Sequence, residues 1–428
     1  MLFRSLFLIA PATANTVSKI AAGIDDTTVT TFATTAIGEG KKIMVVPAMH
    51  ESMYRHPKVL ENLKVLGSWG IEIIGPRLEE DIAKIADTDE IVLRVLRTLG
   101  DNSLAGKSVF VTSGATAESI DPIRILTNRA SGKTGNAVAR EAYIRGAEVY
   151  LFHRNVSKYN GLPHFHDIFT ESCRDMTDTV TEKIALADPP KSGKNILIST
   201  AAISDYTIDA DSSKIKSGAS ELTLKLRPTK KLIEEACYTD PNLFIVGFKA
   251  ETGVSLHELI DTAALKIEEG ITDMVVANDV KEKGMGTADN DVYLVTKDYL
   301  KTHDLKSVIS ISGSKEKIAV ELFNSIVSIL SENTDSDTVT KQQGPCFTML
   351  DLDSETQNFS SNESDQFDFY SETVPDVASN VISDLYSDIE TEPAEEKSSD
   401  LTPLAAKTKP NPRKKPVRLN GNVFKKRN

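Results

Sequence analysis

Two short segments of the chain contain residue types suited to binding a phosphate group. In the first, small residues directly follow an apolar run and let a ligand approach the backbone closely; the candidates are Gly114, Ala115 and Thr116. In the second, a hydroxyl, a glycine and an ammonium group stand at the start of a predicted helix, where backbone N–H groups favour an anion. The candidates there are Ser131, Gly132 and Lys133. The chemistry predicted for both segments is phosphate binding.

Neither segment matches a standard phosphate-binding motif. Gly132-Lys133-Thr134 resembles the end of a P-loop, but Thr127 occupies the position five residues before Gly132 where that motif requires glycine. The stretch 100–107 has one residue too many between its glycines and leads into a strand. The first segment also lacks a GxGxxG sequence, which weakens the case for a dinucleotide-dependent dehydrogenase. A different arrangement must therefore bind the phosphate.

A third segment combines an acidic side chain with two lysines. Asp205 follows the apolar run 195–200, and Lys214 and Lys216 come shortly after it. An Asp at the carboxyl end of a parallel strand can hold Mg²⁺, and a nearby lysine can neutralise phosphoryl oxygens. Two other interpretations stay open for this segment taken alone: an Asp that caps a helix, and a solvated hairpin with charged edges.

The elements that must position these residues alternate between strands and helices. Short apolar runs bounded by polar turns are typical of strands buried on both faces, and they occur at 1–10, 41–46, 108–112, 148–152, 195–200, 243–248 and 273–277. Helical spacing of apolar residues is found at 14–22, 57–67, 89–99, 135–145, 175–187, 229–237, 256–268 and 315–330. This order predicts an α/β fold with a doubly wound, mostly parallel, Rossmann-like sheet, whose ligands bind where loops leave the carboxyl ends of the strands.

The charge of the chain is unevenly distributed. Its 428 residues carry a formal net charge of −13, which argues against a protein that coats nucleic acid through its overall field. The stretch 331–400 contains 18 acidic residues and two lysines, whereas 401–428 contains nine basic residues and no acidic one. Because this tail lacks the apolar surface that offsets the entropy of ordering, it is predicted to be disordered and solvated. The alternative is a basic end that contacts nucleic acid or folds back on the acidic stretch.

Three further patterns bear on where the protein works. No run of eighteen apolar residues is present, so a membrane span is not expected. The opening 1–10 resembles a short signal peptide, but its apolar core is too short, and a buried strand is the preferred interpretation. Cys173, Cys237 and Cys346 lack the spacing of a disulfide framework or a zinc site and are expected to be reduced thiols. These patterns predict a cytoplasmic protein.

Five motifs, in order along the chain, carry a family resemblance. The first motif begins at Ser113 and reads SGATAESIDPIRILTNRASGKTG. It is followed by AAISDY, KIKSG, VGFKAETG and VVANDV. Together they resemble the phosphopantothenoylcysteine synthetase half of the bifunctional coenzyme A biosynthesis protein, in its archaeal-like form. The resemblance covers residues 104–330 and departs from the usual pattern at Ala130 and Thr134, where the family usually has Ser and Met.

The resemblance implies a ligase that joins 4′-phosphopantothenate to cysteine with CTP, through an acyl-cytidylate and loss of pyrophosphate. Residue chemistry alone does not distinguish CTP from ATP. The family pattern assigns Lys214 to the transferring phosphoryl group, Asp205 to Mg²⁺ and Asn128 to the acyl-cytidylate. Besides the phosphate candidates above, the residues implied to bind nucleotide or substrate are Ala201, Lys216, Phe248, Lys266, Asn278 and Asp279. Structural alternatives stay open for three residues: turn capping for Asn128, core packing for Phe248 and a solvated helix face for Lys266.

The first hundred residues resemble a different enzyme. The segments 10–16 and 47–54 are similar to the end of the flavin-dependent phosphopantothenoylcysteine decarboxylase, and its remaining site residues would be Asn15, Thr16, Met49 and His50. The family's opening strand, flavin-phosphate loop and catalytic histidine come before the first of these segments, which only nine residues precede here. His50 stands where many relatives have a substrate-contacting Asn, and the sequence has no cysteine between Met53 and Gly100 to act as the flap thiol. The resemblance therefore implies a partial flavodoxin-like domain.

From this fragment we expect decarboxylation to be lost or to depend on a missing N-terminal half, with FMN bound only if the domain is completed. Three explanations stay open: a start codon assigned too late, a split gene whose other product is a separate decarboxylase half, and a fragment kept as an oligomerising platform. The expected organisation is a partial flavoprotein domain at 1–100, a ligase domain at 104–330 that forms a homodimer as relatives do, and the tail at 331–428. Alternatives from other classes are an FMN-dependent decarboxylase or oxidoreductase, and a non-catalytic interaction protein that acts through its tail.

Overall fold

A computed structural model describes residues 6–79, 82–155, 159, 161–190, 193–218, 220–280 and 289–336. The predicted acidic and basic tail falls outside these residues from position 337 onward, as does Cys346. Residues 331–336, which the sequence placed in the tail, instead end a helix that runs Lys315–Ser336. Cys173 and Cys237 are thiols rather than half-cystines.

The first hundred residues build a small parallel sheet with helices around it. The elements begin with β1 (Leu6–Ala12), α1 (Ala14–Ala21), α2 (Thr28–Gly38), β2 (Lys42–Pro47), β3 (Met49–His50) and α3 (Glu51–Tyr54). They continue with α4 (Pro57–Ser68), β4 (Glu72–Ile73), β5 (Arg77–Glu79), β6 (Ile82–Lys84) and α5 (Thr88–Leu99). Strands β1, β2 and β4 pair in parallel, and β3, β6 and β5 form a small antiparallel sheet. This part has the flavodoxin-like arrangement that the sequence predicted.

The second part is built on a sheet of eight strands among the described residues, in the order β11-β10-β7-β12-β15-β16-β17-β18. Its elements begin with β7 (Ser108–Thr112), β8 (Ala117–Ser119), β9 (Ile125–Thr127), α6 (Lys133–Ile144), β10 (Glu148–His153), β11 (Phe165–Phe169), α7 (Cys173–Leu186) and β12 (Ile196–Ser199). They continue with β13 (Tyr206–Ile208), β14 (Leu226–Pro228), α8 (Leu232–Thr239), β15 (Phe244–Glu251), α9 (Leu256–Glu268) and β16 (Met274–Asp279). The last are β17 (Asp289–Thr296), α10 (Lys297–Thr302), a 3₁₀ turn (Leu305–Ser307), β18 (Ile309–Ser314) and α11 (Lys315–Ser336). The first six strands of the sheet run parallel, and β17 and β18 add an antiparallel edge.

Successive side chains of the central strands point alternately to the two faces of this sheet, and each face is covered by a hydrophobic core. Val109 and Val111 of β7 pack in one cluster with Val138 of α6 and Phe323 of α11. Phe110, between the two valines, packs in the opposite cluster with residues of α7 and α8. Because successive side chains of a strand point to opposite faces, a continuous apolar run is what a strand covered on both sides requires. The predicted doubly wound, mostly parallel fold is confirmed.

Helix α5 connects the two parts. Its Leu93 belongs to the core of the eight-stranded sheet, whereas Ile91 and Val95 pack against Met44 and its neighbours in the first part. The guanidinium group of Arg97 donates to three backbone carbonyls at the end of α6: Tyr143 at 2.7 Å, Ala147 at 2.8 Å and Gly146 at 3.0 Å. The turn at 100–106, predicted as a domain boundary, therefore follows a helix that packs on both sides of that boundary.

Several elements were not predicted from the sequence. Helix α2 is rich in threonine, which favours strands, but Thr27 and Thr30 form a capping box and Ala33 and Ala36 are buried against the sheet. Strands β11 and β18 form the two edges of the large sheet, where shorter apolar runs suffice, and the unpredicted β17 lies between β16 and β18. No helix in the described ranges is long and apolar enough to cross a bilayer. The cytoplasmic location stays a prediction.

Candidate active site

A cleft lies where the parallel strands of the large sheet end and α6 begins. Its lining includes phosphate candidates from the sequence, namely Gly114, Ser131, Gly132 and Lys133, which together are called its phosphate side. The lining also includes three residues implied by the family resemblance, namely Ala201, Phe248 and Asn278. The topology explains this arrangement, because β7, β12, β15 and β16 are adjacent parallel strands whose carboxyl ends share one edge.

Close backbone packing gives the phosphate side its shape. Gly132 precedes α6 with a φ of +77°, and a Cβ atom there would lie 3.0 Å from Ser113 Oγ and 3.2 Å from the Gly114 nitrogen. Ser113 Oγ donates to the Gly132 carbonyl at 2.9 Å, which holds the two loops together. Gly132 provides no side-chain cap for α6, so the N–H groups of its first turn are available to an anion at the positive end of the helix dipole. Only glycine meets both the conformational and the packing requirement at this position.

Two lysines from distant parts of the chain line this cleft. Lys133 is exposed at the start of α6, and Lys315, the first residue of α11, is 4% exposed. Burial and the nearby charge of Lys133 lower the pKa of Lys315, against the opposing influence of Glu316 and Asp289. Two neighbouring ammonium groups repel each other in the absence of an anion, so the arrangement suits a ligand with several negative charges.

Lys315 was missed by the sequence analysis. A signal was present, because Gly313-Ser314-Lys315 ends an apolar run and begins a helix. This places a glycine, a hydroxyl and an ammonium group at a helix start, as Ser131, Gly132 and Lys133 do. Proximity of the two segments could not be deduced, because it depends on the antiparallel edge strands that return the chain to the cleft.

The residues implied to frame the nucleotide have different surroundings. Phe248 is half-buried, packs against the main core and also lines the cleft. Its position is therefore consistent both with core packing and with contact to a nucleotide. Asn278 is 7% exposed and lines the cleft. Asp279, the next residue, accepts hydrogen bonds from the Gly253 nitrogen at 3.1 Å through each carboxylate oxygen. Asp279 thereby fastens the loop after β15 beside the cleft.

Three other predicted residues lie away from the lining of the cleft. Ala115 and Thr116 are buried, and Thr116 Oγ1 accepts a hydrogen bond from the Ser204 nitrogen at 2.9 Å, which supports the loop that carries Asp205. Lys266 is exposed in the last turn of α9, where its ammonium group lies 2.8 Å from Glu269. These surroundings match the solvated helix face that the sequence left open for Lys266, and its role in nucleotide binding stays a prediction.

Asn128 and Asp205 occupy neighbouring loops. The Asn128 side-chain amide donates to the Ala202 carbonyl at 3.1 Å, which joins the loop before α6 to the loop after β12. Asp205 is exposed and its carboxylate pairs with the ammonium group of Lys231, a residue that the sequence analysis did not single out. In the described ranges no group of three His, Cys, Asp or Glu side chains could hold a metal ion. An exposed carboxylate such as Asp205 can supply one ligand to Mg²⁺ beside phosphate oxygens and waters, here in competition with Lys231, and its assignment to the ion stays a prediction.

Lys214 and Lys216 are exposed on either side of Ile215. The main chain of Ile215 is held by two residues of the loop after β8: its nitrogen donates to Asp121 at 3.1 Å, and its carbonyl accepts from Arg124 at 3.1 Å. Neither lysine is part of the cleft lining described above.

The candidate flavin residues lie at one edge of the small parallel sheet. Asn15 and Thr16 are in the first turn of α1, and Met49 and His50 form β3, just after β2. The Ala48 nitrogen donates to the Ala12 carbonyl at 3.0 Å, so the loops that follow β1 and β2 are side by side. An amide, a hydroxyl and a half-buried thioether at one edge fit the polar rim and apolar face of a flavin ring.

Comparisons with known proteins found relatives for both parts of the chain. Residues 104–330 match the family described as DNA/pantothenate metabolism flavoprotein C-terminal domain, and residues 3–100 match the family described as Flavoprotein. The coenzyme A biosynthesis bifunctional protein CoaBC of Thermococcus kodakarensis is 47% identical over 299 residues, which cover 69% of this chain and 71% of that protein. The protein of the same name from Methanocaldococcus jannaschii is 35% identical over 321 residues, covering 74% of each chain.

Among solved structures, the C-terminal domain of a CoaBC protein is 28% identical and has a TM-score of 0.42, covering 54% of this chain and 100% of that one. The family model and the two archaeal relatives confirm the archaeal-like resemblance carried by the five motifs. The chain belongs to the CoaBC family of bifunctional coenzyme A biosynthesis proteins.

Proposed function

We propose that the region 104–330 is a phosphopantothenate–cysteine ligase that uses CTP. The observation that carries the proposal is the cleft itself, whose lining includes the start of α6, two lysines, an aromatic ring and a buried amide. The helix start and the lysines suit a polyphosphate, and the ring of Phe248 with Asn278 suits a nucleotide base and sugar. Membership of the CoaBC family supports a substrate from coenzyme A biosynthesis.

In the first step, a carboxylate oxygen of 4′-phosphopantothenate attacks the α-phosphorus of CTP, and the bond to the leaving pyrophosphate breaks. Two anions approach each other in this step, so nearby cations lower the barrier. We assign the charge on the transferring phosphoryl group to Lys214 and the binding of phosphate to Ser131, Gly132 and Lys133. Asp205 would hold Mg²⁺, which supplies further neutralisation of phosphate oxygens when bound.

In the second step, the amine of cysteine attacks the acyl carbon, CMP leaves and an amide bond forms. The Asn128 amide, oriented by its hydrogen bond to the Ala202 carbonyl, can donate to and accept from the acyl-cytidylate at once. We assign Asn128 to holding this intermediate for attack.

The test is pyrophosphate release by the purified full-length chain with 4′-phosphopantothenate, cysteine and Mg²⁺, comparing CTP with ATP. We expect release that depends on phosphopantothenate and is faster with CTP. Lys214→Gln and Asn128→Asp should abolish product while the melting temperature stays within a few degrees of the wild type, because each removes a polar group from the surface rather than a core contact. No release with either nucleotide would reject the ligase.

A second candidate function is flavin binding by the region 3–100, favoured by its match to the Flavoprotein family and by the adjacent loops that carry Asn15 and Met49. Bound FMN would supply the redox chemistry of a decarboxylase. The visible spectrum of the purified chain and the quenching of FMN fluorescence on titration test this function, with Asn15→Ala as the variant expected to weaken binding. The dependence of decarboxylation on a further polypeptide stays a prediction.

We also propose that the ligase region forms a homodimer. The antiparallel pairs β8–β9 and β13–β14 stand beside the active-site loops, and they expose Ile125, Tyr206 and Leu226 at 41%, 51% and 45%. Apolar side chains grouped in this way are typical of an interface. Sedimentation equilibrium should give twice the chain mass, and the double substitution Tyr206→Ser with Leu226→Ser should shift the protein towards the monomer.

A further inference from the structure

A buried carboxylate binds the backbone of the segment that carries Lys214 and Lys216. Asp121 is 2% exposed, and its Oδ1 accepts hydrogen bonds from the Ile123 and Arg124 nitrogens, both at 2.8 Å. Its Oδ2 accepts from the Ile215 nitrogen at 3.1 Å and pairs with the Arg124 guanidinium group. Burial alone raises the pKa of Asp121, but these donors outweigh that effect and lower the pKa to about 2. The carboxylate is therefore charged under all ordinary conditions.

The segment 211–218 has no regular secondary structure, and its attachment to the loop after β8 is concentrated near Ile215. The Asp211 nitrogen donates to the Ile120 carbonyl at 2.9 Å. The Ile215 nitrogen is bound by Asp121, and the Ile215 carbonyl is bound by Arg124, whose guanidinium group is itself paired with Asp121. The backbone nitrogen of Ile215 is thus held by Asp121 directly, and the backbone carbonyl is held through Arg124. Lys214 and Lys216 are the residues on either side of Ile215.

We propose that Asp121 is a positioning residue that fixes the backbone at Ile215 and thereby places the ammonium groups of Lys214 and Lys216 for phosphoryl transfer. The proposal rests on the ligase function proposed above. An exposed lysine already has many rotamers, so movement of its backbone would spread the positions of its ammonium group further. Fixing the backbone at Ile215 removes this second source of variation. A displacement of about 1 Å at a reacting centre can cost roughly 100-fold in rate.

A carboxylate is required because Oδ2 accepts from two donors at once. An asparagine side chain has one oxygen and one NH₂ group. Its NH₂ group would therefore face two donors, either the Ile215 nitrogen and the Arg124 guanidinium group or the backbone nitrogens of Ile123 and Arg124. Asp121→Asn therefore keeps the size of the side chain but loses part of the attachment. Asp211→Asn is the matched control, because the exposed Asp211 carboxylate accepts locally from Ser213, with its nitrogen at 2.9 Å.

The experiment measures two properties of the full-length chain: cleavage after Lys214 and Lys216 by a lysine-specific protease under native conditions, and the kinetics of pyrophosphate release. We expect Asp121→Asn to speed cleavage at these two sites at least tenfold, and to lower kcat by about 100-fold with a smaller change in KM for CTP. Asp211→Asn should leave both properties as in the wild type.

The combined results separate the proposal from its alternatives. Wild-type cleavage and kcat in Asp121→Asn would overturn it, and so would a loss of kcat without faster cleavage after Lys214 and Lys216, which would indicate a role other than fixing this segment. If Asp121→Asn does not fold, Ile215→Pro removes the donor while leaving the remaining contacts of Asp121. Because proline blocks cleavage after Lys214, the expected results for this variant are faster cleavage after Lys216 and the same loss of kcat. If the wild-type chain releases no pyrophosphate, the proposed ligase function is rejected. The cleavage experiment is independent of that result, and unchanged cleavage in Asp121→Asn and Ile215→Pro would reject the positioning role.

Discussion

At the scale of single residues, the active-site cleft depends on charges that the chain brings together from distant segments. Lys133 begins α6 and Lys315 begins α11, and the antiparallel strands β17 and β18 return the chain so that both lysines line one cleft. A polyphosphate between them would gain from both ammonium groups and relieve their mutual repulsion. Lys315 is therefore expected to contribute to nucleotide affinity although no sequence motif assigned it.

Substituting Lys315 with glutamine should raise KM for CTP by about 10- to 100-fold, since a hydrogen bond to a charged group is worth about 1.5–3 kcal/mol. The matched control is Lys317→Gln, because Lys317 lies in the same turn of α11 but its ammonium group donates to the Ser312 carbonyl at 3.0 Å. Steady-state kinetics with varied CTP provides the measurement. Equal KM values for the two variants would remove Lys315 from the nucleotide site.

The low pKa of Asp121 predicts a specific dependence of stability on pH. The pKa is lowered from 3.8 to about 2 in the folded chain, so the contribution of this carboxylate is fully present above about pH 4. As the pH falls from about 4 towards 2, the unfolded chain takes up the proton first and this contribution is lost. Melting temperatures at pH 5 and pH 3 should therefore drop more for the wild type than for Asp121→Asn. Equal drops would show that Asp121 does not carry this stabilisation.

At the scale of elements, the parallel strands were predictable and the edges of the sheet were not. The run SVFVT at 108–112 predicts a strand covered on both faces, and Val109, Phe110 and Val111 pack accordingly on opposite sides. By contrast, β11 and β18 lie at the edges of the sheet and have few apolar residues, and β17 is an antiparallel strand between β16 and β18. The pattern typical of buried parallel strands therefore does not identify these three strands. The glycine-rich start of α6 could be predicted as an anion site, whereas the contribution of Lys315 depends on those edge strands.

The contact between α6 and the loop after β7 also predicts the effect of enlarging a glycine. A Cβ atom on Gly135 would lie 2.5 Å from the Ser113 side chain and 2.7 Å from Thr200 Oγ1. Gly135→Ala should therefore push α6 away from the loop, destabilise the fold by about 1–3 kcal/mol and weaken nucleotide binding. Chemical denaturation and CTP titration measure these effects.

Gly67→Ala in α4 is the control for this substitution, because a Cβ atom there meets nothing within 4 Å. Alanine has a higher helix propensity than glycine, by about 1 kcal/mol. The control should therefore leave stability unchanged or increase it slightly, with CTP binding as in the wild type. A Gly135→Ala protein with unchanged stability and affinity would contradict the close packing that shapes the phosphate side of the cleft.

At the scale of the whole molecule, α5 packs against both the flavoprotein-like part and the part built on the eight-stranded sheet. It contributes Leu93 to the core of the eight-stranded sheet, and its Ile91 and Val95 pack against the core of the first part. Arg97 at its end binds the last carbonyls of α6, the helix whose first turn forms the phosphate side of the cleft. A cation at the end of a helix also interacts favourably with its dipole. Support of α6 from this side is a role for the first hundred residues that does not require flavin chemistry.

Arg97→Gln tests this support in the full-length chain. The guanidinium group lies 4.5 Å above the Tyr143 ring and donates to three carbonyls, so its loss leaves partly buried acceptors at the end of α6. We expect a loss of about 2–4 kcal/mol in the free energy of unfolding, together with faster amide hydrogen exchange in the last turns of α6. Arg55→Gln, an exposed arginine that pairs with Glu51 within its own part, should change stability by less than about 0.5 kcal/mol. If the two variants have equal stability and equal exchange in α6, the contacts of Arg97 do not support this helix.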